Sequence, residues 1–352
     1  MGRMNKTIIW AGLETLYFSR GHRLAQRFFG GLGAILMFHH VRPARQGGFQ
    51  PNRALEVSPL FLDEVIRWLH DAEIEIVSLD EARRRIVERD TARRFVVLTF
   101  DDGYRDNRHY AWPILRRHGA PFTLFVASHF ADGAGDFWWV ALERAIAAST
   151  TVEVPMNGTR RRFDCASDAA KDEAFQTLYW WLRSLPDEGE MRGTIRRLSA
   201  GAGVDADGIC RELCLGWDEL RALKDDPLAT IGSHTHDHLM LAKARPDIVR
   251  AEIQTGIDRI EAKLAIRPSH LSYPVGDPTS AGPREFAIAT ELGVATALTT
   301  RPGVIFADHR DHLTALPRIS VNGDFQRLRY LDVLLSGAPT ALMNRFRRVN
   351  AA

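Results

Sequence analysis

The sequence predicts an α/β protein built as a (β/α) barrel, and three observations carry that reading. Short apolar runs alternate with helix-length stretches along much of the chain, which implies parallel strands joined by crossover helices. The polar motifs that stand out follow directly on apolar runs, at strand C-termini where a barrel of this kind gathers its functional groups. Finally, 352 residues of which 45% are hydrophobic and 26% charged describe a folded protein of one large domain or two.

Residues 1–33 form a helical segment in which Ile8, Trp10, Leu13, Leu16, Tyr17, Leu24 and Phe28 recur with basic residues between them. Two readings stand side by side: a helix packed on the barrel, or an amphipathic helix at a membrane surface. Its apolar stretch Thr7–Leu13 is cut short by Glu14, too soon to span a bilayer or to make a convincing secretory signal. The barrel is expected over 34–130 and 217–340. Ser58-Pro59 caps and opens a helix through Phe61–Leu69, which feeds the run Ile74–Val77. Phe95–Leu98 reads as a buried strand, and Trp112–His118 then pairs with Phe122–Val126 as helix and strand. After the run Leu228–Ile231, the same alternation returns as Val249–Leu264 with His270–Tyr273, and Glu285–Leu292 with Ala295–Thr299.

The stretch 131–216 breaks the alternation and is expected to be a mostly helical inserted subdomain. Removing its roughly 85 residues leaves close to the ~250 typical of a barrel. Its aromatics, Trp138-Trp139 and Trp180-Trp181 among them, either read a substrate or fill a core, and the spacing of Phe137, Trp138, Val140, Leu142 and Ile146 favours the core. Residues 341–352 are expected to be a tail.

Chemistry enters at Thr99-Phe100-Asp101-Asp102-Gly103-Tyr104, where two adjacent carboxylates close an apolar strand, a costly placement without a cation. Consecutive strand residues face opposite sides, so the two aspartates take different roles, one for metal and one for protons. The second cluster, Gly232-Ser233-His234-Thr235-His236-Asp237-His238, spaces His234 and His238 four apart, which on a helical turn puts both rings on one face. Two histidines and one aspartate make a three-ligand zinc site with room for water. Thr235 stands where a His-Glu-x-x-His peptidase has its base, so the base comes from elsewhere, and Asp101 is the candidate.

These residues resemble the polysaccharide deacetylases, the NodB-homology carbohydrate esterases. Thr99–Gly103 is similar to that family's Thr-Phe-Asp-Asp-Gly motif and His234–His238 to its His-(Ser/Thr)-x-x-His. The resemblance implies a distorted, incomplete (β/α) barrel, with Asp101 as general base and Asp102, His234 and His238 as ligands of a divalent ion, most often Zn²⁺. Phe38-His39-His40-Val41 resembles the Tyr-His-x-Val of a poly-N-acetylglucosamine deacetylase branch, which implies His39 as general acid. The chain departs from the family at Leu271-Ser272-Tyr273-Pro274-Val275-Gly276, where Ser272 replaces the arginine that orients the base. Arg318 is the candidate replacement. The C-terminal Leu-x-His motif is missing, with His312 second to His39 as the acid. The resemblance also makes the Val275 N–H an oxyanion donor; the aromatic Tyr273 and small Gly276 are candidates for an acetyl-sized pocket, with an ordinary turn the alternative for Pro274 and Gly276. Tyr104, directly after the first motif, completes the candidate substrate-binding set.

The implied activity is removal of an N-acetyl group from an amino sugar in a polysaccharide, oligosaccharide or lipid-linked glycan, by water activated on the metal with Asp101 as base and His39 as acid. The rivals are a non-catalytic carbohydrate binder on the same fold, and a hydrolase of O-acetyl esters or non-sugar amides. A net charge of +2 with scattered basic residues argues against a nucleic-acid partner. Cys165, Cys210 and Cys214 offer no fourth ligand for a structural zinc site and suit a reducing compartment. The expected location is therefore cytoplasmic, with the N-terminal segment a candidate for peripheral contact at the inner membrane surface.

Overall fold

The computed structural model describes residues 6–351. The first five residues of the N-terminal segment and Ala352 of the tail lie outside them. Seven parallel strands form the barrel: β1 (Gly33–Phe38), β2 (Phe95–Phe100), β3 (Phe122–Val126), β4 (Ala229–Ser233), β5 (His270–Ser272), β6 (Thr296–Pro302) and β7 (Leu316–Ser320). Each pairs with the next, and β1 closes the ring by pairing with both β2 and β7. A further short strand, Glu75–Ile76, pairs only with Phe95 and Val96 at the start of β2. Closure is uneven: β1 and β2 share a six-residue register from Gly33↔Phe95 to Phe38↔Phe100, whereas β4 and β5 meet at the single pair Leu271↔Ser233. The barrel is therefore distorted, as the resemblance implies.

Strands this buried read as continuous apolar runs because both faces are covered. All six residues of β1, and all six of β2, are buried. The Ser58 hydroxyl accepts the Phe61 N–H, with Pro59 in the first turn, so the cap legible in the sequence opens the helix Pro59–Asp71.

Within 131–216 the helices Trp138–Ala147, Asp168–Ser184, Glu188–Gly201 and Ala206–Leu213 surround an antiparallel hairpin, Thr151–Met156 with Thr159–Asp164, which the sequence reading missed. The local signal was present. Asn157-Gly158 takes positive φ at both residues (52° and 78°), as a two-residue hairpin turn requires, and Val152, Val154 and Met156 alternate inward. The second strand hides the pattern because it is nearly all exposed and carries Arg160-Arg161-Arg162. Trp138, Trp139 and Trp181 are buried in a core that the insertion shares with Tyr104, Phe130 and Met240 of the barrel, Trp139 lying 5.3 Å from the His238 ring, while Trp180 is half exposed.

The N-terminal segment is two helices, Lys6–Phe18 and Gly21–Phe29, broken at left-handed Arg20. The first packs through Leu13, Ile9 and Leu16 on Tyr330 and Val333 of the helix Leu328–Leu335. Ile8, Phe18, Leu24 and Phe28 remain exposed. The boundary expected at 340/341 is corrected: the helix Ala338–Met343 runs through it, and Phe346 packs against Phe29. Among the described residues no helix is long and apolar enough to cross a membrane.

Candidate active site

Asp102, His234 and His238 converge at the mouth formed by the strand C-termini. β2 ends at Phe100, and Asp101 extends its ladder through a hydrogen bond from its N–H to the Phe38 carbonyl. Asp102 and Gly103 then turn left-handed, with φ of 69° and 63°. This turn, in place of strand alternation, aims the two aspartates at different partners. The His234 N–H donates to Val126 O at 2.8 Å, and its Nδ1–H to the Ser272 carbonyl at 2.7 Å. A carbonyl only accepts, so Nδ1 carries the proton and, in the neutral ring, the Nε2 lone pair faces Asp102. Asp102 Oδ1 lies 3.4 Å from His234 Nε2 and 3.3 Å from His238 Nε2.

The helical turn expected for His234–His238 is corrected. The pair sits in a loop after β4, with Thr235 (φ 66°) and His238 (φ 58°) left-handed, and it is this bend that brings residues four apart together. One ligand atom from each of the three residues lies within 4.8 Å of the others, all buried. Two imidazoles and a carboxylate, with one ring fixed from behind by a carbonyl, fit a divalent cation such as Zn²⁺. Burial alone would raise the Asp102 carboxyl, but hydrogen bonds and charge from His234 and His238 hold it well below its ordinary range. Burial lowers His238, while in His234 the effect of burial is overcome by the two aspartates and the pKa rises.

Asp101 faces Arg318, which reaches it from the interior of β7. Arg318 Nη1 donates to Oδ1 at 2.8 Å and Nη2 to Oδ2 at 2.7 Å, with both side chains buried. The guanidinium is fixed in turn by the carbonyl of Thr299 and the hydroxyls of Thr99 and Ser272. Burial pushes the Asp101 carboxyl up, and the charges of Arg318 and His234 more than reverse it, so the group stays ionised. His39 follows β1 at the same mouth, half-buried. Burial lowers its pKa, while Asp102 and Asp101 pull it back toward its ordinary value. Asp101, Asp102, His234, His238, Arg318 and His39 thus share one mouth.

Other sequence candidates lie elsewhere. The Tyr273 ring packs on Phe286 in the core behind β5 and its hydroxyl donates to Thr314 O at 2.8 Å, so it lines no acetyl pocket. Strand alternation explains this: Ser272 points into the barrel and Tyr273 away from it. Tyr104 is completely buried and stacked on His40 at 3.5 Å between ring centroids, which leaves no face for substrate. His312 is exposed and precedes β7, at the far end of the strand from the site. Val275 is left-handed (φ 62°), and no described residue accepts its N–H. Gly276 is required by close approach, since a Cβ there would lie 2.8 Å from Thr300 N.

Three further residues contribute, of which Glu252 and Gly256 carried no recognisable signal in the sequence and Ser272 was marked only as the place of a missing arginine. The Ser272 hydroxyl bridges Arg318 and Asp101 while its carbonyl holds His234, which couples the two halves of the site. Glu252 accepts the Asp237 N–H at 2.8 Å and braces the ligand loop. Gly256 brings its helix, Pro246–Leu264, against that loop, where a Cβ would come within 2.6 Å of the Thr235 carbonyl.

Barrel and site together define the class, an α/β-barrel hydrolase with its polar groups at the strand C-termini. The chain belongs to the polysaccharide deacetylase family, whose model matches residues 88–297 and so includes both motifs. A 93-residue stretch is 29% identical to YxkH of Bacillus subtilis (strain 168), a curated relative bearing the polysaccharide deacetylase name. The match covers 26% of this chain and 30% of that protein, so the chain spans under a third of the length of the curated relative it matches. Solved structures share the fold, among them the following three. The Streptococcus pyogenes deacetylase PplD in complex with acetate has 19% identity and a TM-score of 0.57, over 86% of this chain and 97% of that one. IcaB from Ammonifex degensii has 16% identity and a TM-score of 0.54, over 88% and 98%. A de-N-acetylase from Aggregatibacter actinomycetemcomitans has 13% identity and a TM-score of 0.54, over 86% and 99%.

Proposed function

We propose that the protein is a metal-dependent deacetylase that removes the N-acetyl group of an amino sugar within a polysaccharide, oligosaccharide or lipid-linked glycan. The observation that carries this reading is the adjacency of two differently partnered carboxylates: Asp102 facing two imidazole nitrogens and Asp101 held ionised by Arg318. Asp102, His234 and His238 would hold the ion. When bound, a divalent cation supplies Lewis acidity toward water and an acyl oxygen.

The protein's own groups do the rest. Asp101, kept deprotonated and aimed by the Arg318 fork and the Ser272 hydroxyl, takes the proton of the attacking water. The unpaired Val275 N–H donates to the oxyanion as the carbonyl carbon becomes tetrahedral. His39, whose lowered pKa leaves it largely neutral at rest, passes the proton gained by Asp101 to the departing amine. Two acid–base groups with separated pKa values thus share one proton through the cycle. Acetate release from N-acetylglucosamine oligomers tests the reading.

A second element of the proposal is peripheral contact with the cytoplasmic face of a membrane. It is supported by exposed Phe18, Leu24, Phe28, Leu342 and Phe346 on the packed terminal segments, interleaved with exposed Arg20, Arg23, Arg27, Arg345 and Arg347. The free, buried Cys165, Cys210 and Cys214 accord with a reducing compartment.

A further inference from the structure

The loop that turns His234 and His238 inward turns His236 and Asp237 outward. Facing them is His129, in the short helix Ser128–Ala131 that follows β3. One ligand atom from each of His129, His236 and Asp237 lies within 4.8 Å of the others, and all three residues are partly exposed. His129 Nδ1 is 2.5 Å from Asp237 Oδ1, and His236 Nε2 is 3.9 Å from the same oxygen. The two rings are stacked, 5.1 Å apart and inclined by 20°.

The cluster is braced by its protein neighbours. The Ser128 hydroxyl lies 2.7 Å from His236 Nδ1 and can accept that N–H, which leaves the Nε2 lone pair turned toward the carboxylate. Main-chain bonds from Ser128 N to Thr235 O and from His129 N to His236 O, each 3.1 Å, lock the two segments together. Asp237 is held at both ends of its backbone, its N–H by Glu252 at 2.8 Å and its carbonyl by Arg192 at 2.9 Å. A simple His129–Asp237 ion pair would explain the shortest contact. It does not explain why His236 is held by Ser128 with its other nitrogen facing the same oxygen. His129 and Asp237 also line a cavity of about 550 Å³ between barrel and insertion, so solvent reaches the cluster.

We propose that His129, His236 and Asp237 form a second divalent-cation site, distinct from the buried one and interleaved with it along residues 234–238. Two imidazoles and one carboxylate suit Zn²⁺, with water completing the shell from the open side. An ion there would fix the outward residues of the loop whose inward residues hold the first ion, so the outer site would order the inner one.

The test is Zn²⁺ stoichiometry by equilibrium dialysis of the full chain at low micromolar free metal, with bound zinc counted by mass spectrometry. Wild type should bind two equivalents, and His236→Gln and Asp102→Ala one each, with melting curves showing that each variant is folded. His238→Gln serves for the inner site if Asp102→Ala does not fold. One equivalent in wild type that vanishes in Asp102→Ala or His238→Gln but persists in His236→Gln would overturn the outer site and leave the inner one standing. One equivalent that vanishes only in His236→Gln would uphold the outer site and overturn the metal assignment of the proposed function.

Discussion

Arg318 grips Asp101 with two parallel hydrogen bonds of 2.8 and 2.7 Å, from a strand that begins more than two hundred residues further along the chain. Two elements of the barrel thereby fix one carboxylate. The family resemblance implies an arginine for that task at the position where this chain has Ser272. Here Ser272 supplies a hydroxyl to both partners, so the same orientation is reached from β7.

Arg318→Gln should damage both stability and catalysis. Breaking a buried ion pair leaves a lone charge, which costs about 3–5 kcal/mol. Burial then acts on Asp101 unopposed by its main counter-charge and raises its pKa. The acid limb of the kcat/KM profile should therefore move to higher pH, which a pH–rate series on the folded variant would reveal. An unmoved limb would dissociate Arg318 from the base.

Gly256→Ala separates helix propensity from packing. Ala is favoured over Gly in a helix interior by roughly 0.5–1 kcal/mol, yet the new Cβ meets the Thr235 backbone at 2.6 Å. Overpacking of this kind costs about 1–3 kcal/mol, so the melting temperature should fall and zinc affinity with it. A stabilised variant with unchanged affinity would show that the loop tolerates the shift.

Glu252 gives a pH signature. Burial and the Asp237 charge raise its pKa from the ordinary 4.5 to about 7, against the lowering effect of the N–H it accepts. Between those values the folded state binds a proton that the unfolded state does not, so this group's contribution to stability falls as pH rises from about 4.5 to about 7 and is flat above. Glu252→Gln keeps an acceptor for Asp237 and should remove that slope from a plot of melting temperature against pH. Parallel plots for variant and wild type would contradict the assignment.

The terminal patch predicts co-sedimentation with anionic vesicles, weakened by salt and by neutral lipid. Phe28→Glu should reduce binding roughly tenfold or more, since it replaces an inserting ring with a repelled charge. Equal sedimentation with and without anionic lipid would remove the electrostatic part of the claim.

Much of the barrel was legible because its strands are buried on both faces and its helices carry local caps, as at Ser58-Pro59. Trp112–His118 and Phe122–Val126 match the observed bounds. Asp101, Asp102, His234 and His238 were legible as residue types at telling spacings. Their geometry was not, because it depends on left-handed turns at Asp102, Thr235 and His238, none of which is a glycine. Tyr273 misled because a motif names neighbours in sequence, whereas strand alternation decides which of them enters the barrel. Glu252 and Gly256 act through a helix packed against the loop, a long-range contact that no local pattern encodes.

The central claim is tested most directly by counting acetate released from N-acetylglucosamine oligomers by metal-stripped protein, before and after Zn²⁺ is returned, with Asp101→Asn run alongside wild type. The account predicts silence when stripped, release on return of zinc, and a loss of roughly 10²–10⁴-fold in Asp101→Asn although that variant keeps its metal. Silence from zinc-loaded wild type, or wild-type rates from Asp101→Asn, would contradict it.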